Sequence, residues 1–158
     1  MGASKSLAVA QHMINRCTQA GDPAITPMQL IKLVYIAHGY MLGKHGRPLL
    51  DEAVQAWQYG PVVPSVYQAV KSFQSAPVTA VPCGSAAVDF SPDELEVMDL
   101  VAKTYGKCSG VMLSSATHKP GTPWQRTWAA SGKNAPISND LIEGFYADLL
   151  GRPSHSSL

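Results

Sequence analysis

Charge is scarce in this chain. Only 15% of its 158 residues are Asp, Glu, Lys or Arg, and the formal net charge is +1. Nothing electrostatic therefore points to nucleic acid or to an anionic membrane. Cysteine is scarce too: Cys17, Cys83 and Cys108 are odd in number, far apart and in no CxxC pair. That usage suits reduced thiols in a cytosolic protein, not a disulfide framework. The histidines His12, His38, His45, His118 and His155 show no ligand spacing among themselves and no zinc pattern with a cysteine. No metal or cofactor is expected from them. GxSxG, GxxxxGK[ST] and GxGxxG are all missing, which removes the nucleophile elbow and the phosphate cradles. Asp93, Glu94 and Glu96 do cluster, but at a predicted helix start, where the helix dipole accounts for them. The short apolar run near the N-terminus continues as an amphipathic helix with no cleavage site, so a signal peptide is not expected.

Apolar residues are plentiful, at 46% of the chain. They are densest over residues 26–43, TPMQLIKLVYIAHGYMLG. Thr26 as cap, Pro27 in the first helical position and Gln29 at the third make a capping box, with Ile25 and Leu30 placed as a hydrophobic staple. The helix that follows is apolar nearly all round. Only a narrow strip with Lys32, Gly39 and Gly43 lacks apolar side chains. Such a helix, too short and too charged to span a membrane, belongs at the buried centre of a soluble domain. Glycines cost about 1 kcal/mol each against alanine inside a helix, so close packing of another backbone is expected at Gly39 and Gly43.

Other segments fall around it. Residues 4–20 read as an amphipathic helix with Leu7, Ala10, Met13, Ile14 and Cys17 on one face. Residues 53–59 alternate as a short strand, and the prolines of Gly60-Pro61-Val62-Val63-Pro64 hold the next stretch extended. A short helix from Pro64 to Phe73 turns Val66, Ala69, Val70 and Phe73 inward. Residues 78–81 and 86–90 either pair as small strands or form a plain loop. Ser91 caps a helix with Leu95, Val97, Met98, Val101 and Tyr105 on its buried stripe. Ser109 caps another with Val111, Met112, Leu113 and Ala116. Thr122-Pro123-Trp124-Gln125 repeats the capping box, and Ser138 caps a last helix. The expected fold is mainly α with at most a minor β element (α+β in that sense), a compact single-domain helical bundle around a central buried helix over residues 27–43. The domain spans residues 4–150, and 151–158 form a loose tail.

Two stretches exceed what helix building needs. In one, Trp57, Tyr59, Gly60, Pro61, Val62, Pro64 and Tyr67 set aromatic rings around a stiff Gly-Pro turn. In the other, Thr117, His118, Pro123 and Trp124 bracket a Lys-Pro-Gly loop. Trp124 is placed to anchor that loop, and His118 to bond its backbone. Each stretch reads either as a packed corner or as a protein-contact surface, since rigid aromatics lose little entropy on binding.

Read in order, KLVYIAHGYMLGKHGRPLLDE, AWQYGPVVPSVY, YGKCSGVMLSSATHKPGTPW and ISNDLIEGFYADLL resemble the Panacea domain family, the SocA-like antitoxin and phage-associated GepA-like group. The resemblance covers nearly the whole chain. Its most specific pieces are Tyr59-Gly60-Pro61-Val62 and Thr117-His118 followed by Pro123-Trp124. It implies a small helical antitoxin of a bacterium, phage or prophage, acting in the cytoplasm on a cognate toxin protein by direct binding. One type in the family instead delivers its toxin to a AAA+ protease, a role for which residues 151–158 are a candidate contact. The family brings no catalytic residues. With Ser4 already opening the core, no DNA-binding module is expected upstream, and direct DNA binding is disfavoured. A hydrolase using His118 with Ser114, Ser115 or Cys108 is the reading from another class.

Overall fold

The computed structural model describes residues 2–19, 25–82 and 88–151, with side chains from residue 5 to 17 in the first of these. Among them are seven α-helices and a small sheet: α1 (Gly2–Gln19), α2 (Pro27–His45), β1 (Val54–Trp57), β2 (Gly60–Val62), α3 (Pro64–Val70), α4 (Pro92–Tyr105), α5 (Gly110–His118), α6 (Pro123–Ser131), β3 (Ala135–Ile137) and α7 (Asn139–Leu149). The fold is mainly α with a minor β element. No described helix is long and apolar enough to cross a membrane.

Helix α2 is the axis. Every residue from Gln29 to Gly43 is buried, and α1, α3, α4, α5, α7 and β2 all pack on it. The expected capping box is present: Gln29 N donates to Thr26 Oγ1 at 3.2 Å and Thr26 N to Gln29 Oε1 at 2.8 Å. The helix runs past Gly43 to His45 and ends on Gly46, whose left-handed φ of 70° lets its amide reach the Leu42 carbonyl. A Cβ on Gly43 would lie 2.7 Å from the carbonyl carbon of Tyr146 and 2.8 Å from Ala147 N, so α7 does cross backbone to backbone there. At Gly39 the obstacle is the Tyr146 ring instead.

Polar groups inside this core are matched. His38 is fully buried on α2. Leu49 N and Leu50 N both donate to its Nδ1, at 3.3 and 3.2 Å. The ring proton is therefore on Nε2, which donates to Asn139 Oδ1 at 3.0 Å. One imidazole thus ties α2 to the loop before β1 and to the start of α7. Tyr40 and Tyr105 share a hydroxyl hydrogen bond of 2.7 Å, and Tyr146 packs on both Tyr35 and Tyr40. Burial raises the pKa of Tyr35 and Tyr146.

The acidic start of α4 is answered by bases as well as by the helix dipole. Lys5 reaches Glu94 at 2.6 Å, Arg47 reaches Asp93 at 2.6 Å and Lys44 reaches Glu96 at 2.7 Å. Burial pushes the Glu94 carboxyl up, but the Lys5 ammonium and the Ser91 groups outweigh it, and the pKa ends below its ordinary value. Glu94 takes the inward place expected of Leu95, which is exposed. Val111 and Met112 on α5 are exposed too, and only Leu113 of the expected apolar set there is buried. On α7, Ile142 and Tyr146 are buried while Leu149 faces solvent.

The sheet holds the main departure from expectation. Its order is β2-β1-β3, antiparallel throughout. β1 and the extended Gly60–Val62 segment are where the pattern put them. The third strand is β3, which sequence reasoning passed over, and its residues 135–137 show no alternation long enough to read. Both edge strands carry a proline, Pro61 and Pro136, in the position where a missing donor is tolerated. Residues 74–82 form a loop and 88–90 lie in no strand, while 83–87 fall outside the described residues. Val78 N donates to the Ile25 carbonyl at 2.7 Å and Val81 N to Gln11 Oε1 at 3.0 Å. Those bonds bury both valines without a partner strand. At α6 only half of the capping box forms: Thr122 accepts from Gln125 N at 3.2 Å, but the Gln125 side chain accepts from Gly121 N at 3.4 Å. The expected tail, residues 151–158, is described only at Gly151.

Two outcomes test this core. Gly43→Ala gains about 1 kcal/mol of helix propensity but overpacks α2 against α7, so a net loss of about 1–2 kcal/mol is expected in urea unfolding. The His38 ring stays neutral in the folded chain because burial lowers its pKa below the ordinary 6.5. The unfolded ring takes its proton near that value, so the contribution of His38 to stability is complete above it and is lost as pH falls below it. Ring nitrogen shifts of His38 that show a largely protonated ring at pH 6.5 in the native protein would contradict this.

Candidate functional site

The β1–β2 hairpin turns through Gln58 and Tyr59. Its register pairs Trp57 with Gly60, Ala56 with Pro61 and Gln55 with Val62. A turn pressed against helices must find donors for its carbonyls, because an unpaired buried acceptor costs about 1–3 kcal/mol. Three alternate carbonyls here are each met by a different helix. Trp124 Nε1, from the first turn of α6, donates to the Trp57 carbonyl at 2.6 Å. Ser114 Oγ, from α5, donates to the Tyr59 carbonyl at 2.8 Å. Lys32 Nζ, from α2, donates to the Pro61 carbonyl at 2.8 Å.

Gly60 makes this seating possible. Its φ is +119°, a conformation that side chains avoid, and a Cβ on it would lie 3.0 Å from Lys32 Nζ and 3.5 Å from His118 Cβ. Lys32 itself is only 3% exposed. Burial pulls its pKa down from 10.5 to about 7. Around this seat, Trp57 meets Tyr67 of α3 edge-on, with ring centroids 4.8 Å apart. Trp124 stacks on Trp128 at 5.2 Å and takes the His118 ring edge-on at 5.4 Å. Pro64 and Pro123 open α3 and α6 in first-turn positions. Val62 is buried under the hairpin.

The two signature stretches, which sequence reasoning kept apart as separate corners, are therefore one structure. Trp124 anchors the hairpin across the fold, not its own loop. His118 turns Nδ1 to the Ser114 carbonyl of its own helix instead of to the loop backbone. Thr117 also bonds back within α5, at 2.9 Å to the Leu113 carbonyl. Ser114 is buried and its hydroxyl proton is committed to Tyr59, with His118 Nδ1 at 3.4 Å. That geometry leaves Ser114 with no base drawing its proton away, so it is not arranged as a nucleophile.

Several large apolar side chains face outward here. Tyr59 is 67% exposed, Val111 74% and Met112 61%. Met28 is also exposed, and it lies against Gly110 at the start of α5. Beside Tyr59 a groove of about 460 Å³ runs between α2, the hairpin and α3, with Ile31, Lys32, Trp57, Val62, Tyr67 and Val70 among its walls.

The family described as "Antitoxin SocA-like, Panacea domain" matches residues 30–125, a span that holds Lys32, the hairpin, α5 and Trp124. The chain belongs to this family. It is also 29% identical over 150 residues to Antitoxin SocA of Caulobacter vibrioides (strain NA1000 / CB15N), covering 89% of this chain and 79% of that protein. No solved structure matches the chain.

For this Panacea domain, sequence reasoning named the hairpin and the His118–Trp124 stretch but missed two of the three donors. In the sequence Lys32 stands out as a gap in an apolar helix, and a lysine flanked by Ile31 and Leu33 in such a helix is itself a signal that a buried acceptor waits for it. Ser114 carries no local signal of its bond to the hairpin, whose acceptor lies 55 residues away.

Lys32 makes a pH test possible. The folded chain gives up this proton near pH 7, whereas the unfolded chain holds it to about 10.5. Between those values the unfolded state binds more protons, so stability rises with pH. The stability of the wild type relative to Lys32→Met is therefore expected to grow by up to about 1.4 kcal/mol per pH unit from pH 7.5 to 9.5. Parallel stability curves for the two proteins in that range would show that the Lys32 ammonium stays charged in the fold.

Proposed function

We propose that this chain is an antitoxin that neutralises a cognate toxin in the bacterial cytoplasm by binding it directly, and that it catalyses nothing. Membership of the SocA-like antitoxin family supports the role. The observation that carries the direct-binding reading is the exposed apolar set Tyr59, Val111 and Met112, mounted on a hairpin and a helix that are themselves bonded to the core. Exposed side chains on such a frame can be covered by a partner with little loss of entropy. Aromatic and methionine side chains in that setting are typical of protein interfaces.

Co-expression with the product of the adjacent reading frame should restore growth and yield a stable complex. Absence of rescue from a toxic neighbour would end this reading. Tyr59→Ala combined with Met112→Asp should abolish the complex while shifting unfolding by no more than about 0.5 kcal/mol, as expected of exposed sites. Measuring the half-life of the toxin in the same cells separates binding from delivery to a protease: unchanged turnover with full neutralisation is the expected outcome.

A further inference from the structure

We propose that the toxin docks in the groove beside Lys32, and that the groove takes a toxin segment carrying a carboxylate next to an apolar or aromatic side chain. The inference rests on the antitoxin reading above and names the partner chemistry that the reading leaves open.

The first argument is charge. The groove walls include three lysines, Lys32, Lys71 and Lys133, and no aspartate or glutamate. The chain as a whole is nearly balanced, with 12 Lys and Arg against 11 Asp and Glu. A groove with one sign of charge on a balanced chain selects the opposite sign in what fills it.

The second is the state of Lys32. Lys32 Nζ carries two N–H donors as an amine and three as an ammonium, and among the described residues only the Pro61 carbonyl accepts one. No carboxylate among the groove walls faces it; the other titratable groups there are Lys71, Lys133, Tyr59 and Tyr67, with His118 across Gly60. A long polar side chain sunk beside a groove with donors to spare is under-satisfied until an acceptor arrives. A carboxylate supplies charge and acceptor together.

The third is the lining. Ile31, Val62 and Val70 are apolar, while Trp57 and Tyr67 meet edge-on in the same walls. A volume of about 460 Å³ holds a few side chains, not a folded surface. The exposed Tyr59 and Met28 border it, which makes the groove continuous with the apolar face already assigned to binding. Nucleic acid fits this less well: a phosphodiester would have to leave water for a mostly apolar cleft, and the net charge of +1 offers no long-range attraction.

The test uses the full chain and the purified product of the adjacent reading frame, with affinity read by calorimetry. Lys32→Met should weaken the complex about 10-fold or more, because the incoming carboxylate is left unpaired. The exposed pair Lys71→Glu and Lys133→Glu should weaken it several-fold at low salt and less at high salt, and this variant leaves the core untouched should Lys32→Met fail to fold. Wild-type affinity in the Lys71→Glu/Lys133→Glu variant at low salt, or in a folded Lys32→Met protein, overturns the groove while leaving the antitoxin reading standing. Hydrogen exchange should show toxin-dependent protection at the hairpin and α3. Protection there by a single-stranded oligonucleotide, or by the chain's own self-association, in place of the toxin also overturns it. No complex with the wild type brings down both proposals at once.

Discussion

A tight turn that lies against helices has a problem that an exposed turn does not. Its carbonyls lose water and must find donors in the protein. Here the carbonyls of Trp57, Tyr59 and Pro61 are met by Trp124, Ser114 and Lys32, from α6, α5 and α2 in turn. Much of the arrangement follows from that demand. Gly60 is required because the chain must drop close over the Lys32 ammonium at a φ of +119°. Pro61 is allowed because β2 is an edge strand. Trp124 sits in a first helical turn, behind Pro123, where its indole can reach across to the hairpin. The hairpin stretch and the Trp124 stretch, far apart in the chain, thus join in one hydrogen-bonded seat.

The seat depends in turn on α2. A helix buried from Gln29 to Gly43 has no face left for solvent, so each of its polar side chains must be answered internally. His38 is answered by two backbone amides and Asn139, and Lys32 by one carbonyl. The two cases differ in completeness. His38 has both ring nitrogens occupied and acts as a structural tie. Lys32, among the residues that line a groove, has one acceptor among the described residues for its Nζ. That difference, more than burial alone, separates a structural polar group from a candidate binding group.

The same frame explains why the outward-facing residues can be so apolar. Val111 and Met112 would be inward residues on a helix read by itself, and the pattern of α5 invites that reading. They face solvent because Leu113, Ser114 and Thr117 take the inner face, with Ser114 committed to the hairpin. The surplus apolar side chains of α5 are thus left on the surface of a helix whose first residue, Gly110, lies against the groove residue Met28.

Much was legible from sequence, for local physical reasons. Caps, prolines in first helical turns and the all-round apolarity of residues 26–43 are encoded within a few neighbouring residues. They determined the helices, their ends and the burial of α2. Gly43 announced a close backbone crossing, while Gly39 makes room for the Tyr146 ring instead, and the family pattern pointed to the hairpin and to Trp124. What remained hidden was set by residues far apart in the chain. β3 exists because β1 offers it a ladder, not because residues 135–137 favour a strand. Glu94, not Leu95, shares the buried face of α4 with Val97, Met98 and Val101, and its carboxylate can lie there because Lys5, 89 residues away, meets it. That the hairpin and the His118–Trp124 stretch form one site, with Lys32 and Ser114 as its other members, follows from three carbonyls seeking donors across distances no local pattern can express. Neighbouring residues settle which segments are helical and which helix is central; which polar groups meet is settled in the folded chain alone, because a hydrogen bond is satisfied by proximity in space and carries no trace in spacing along the chain.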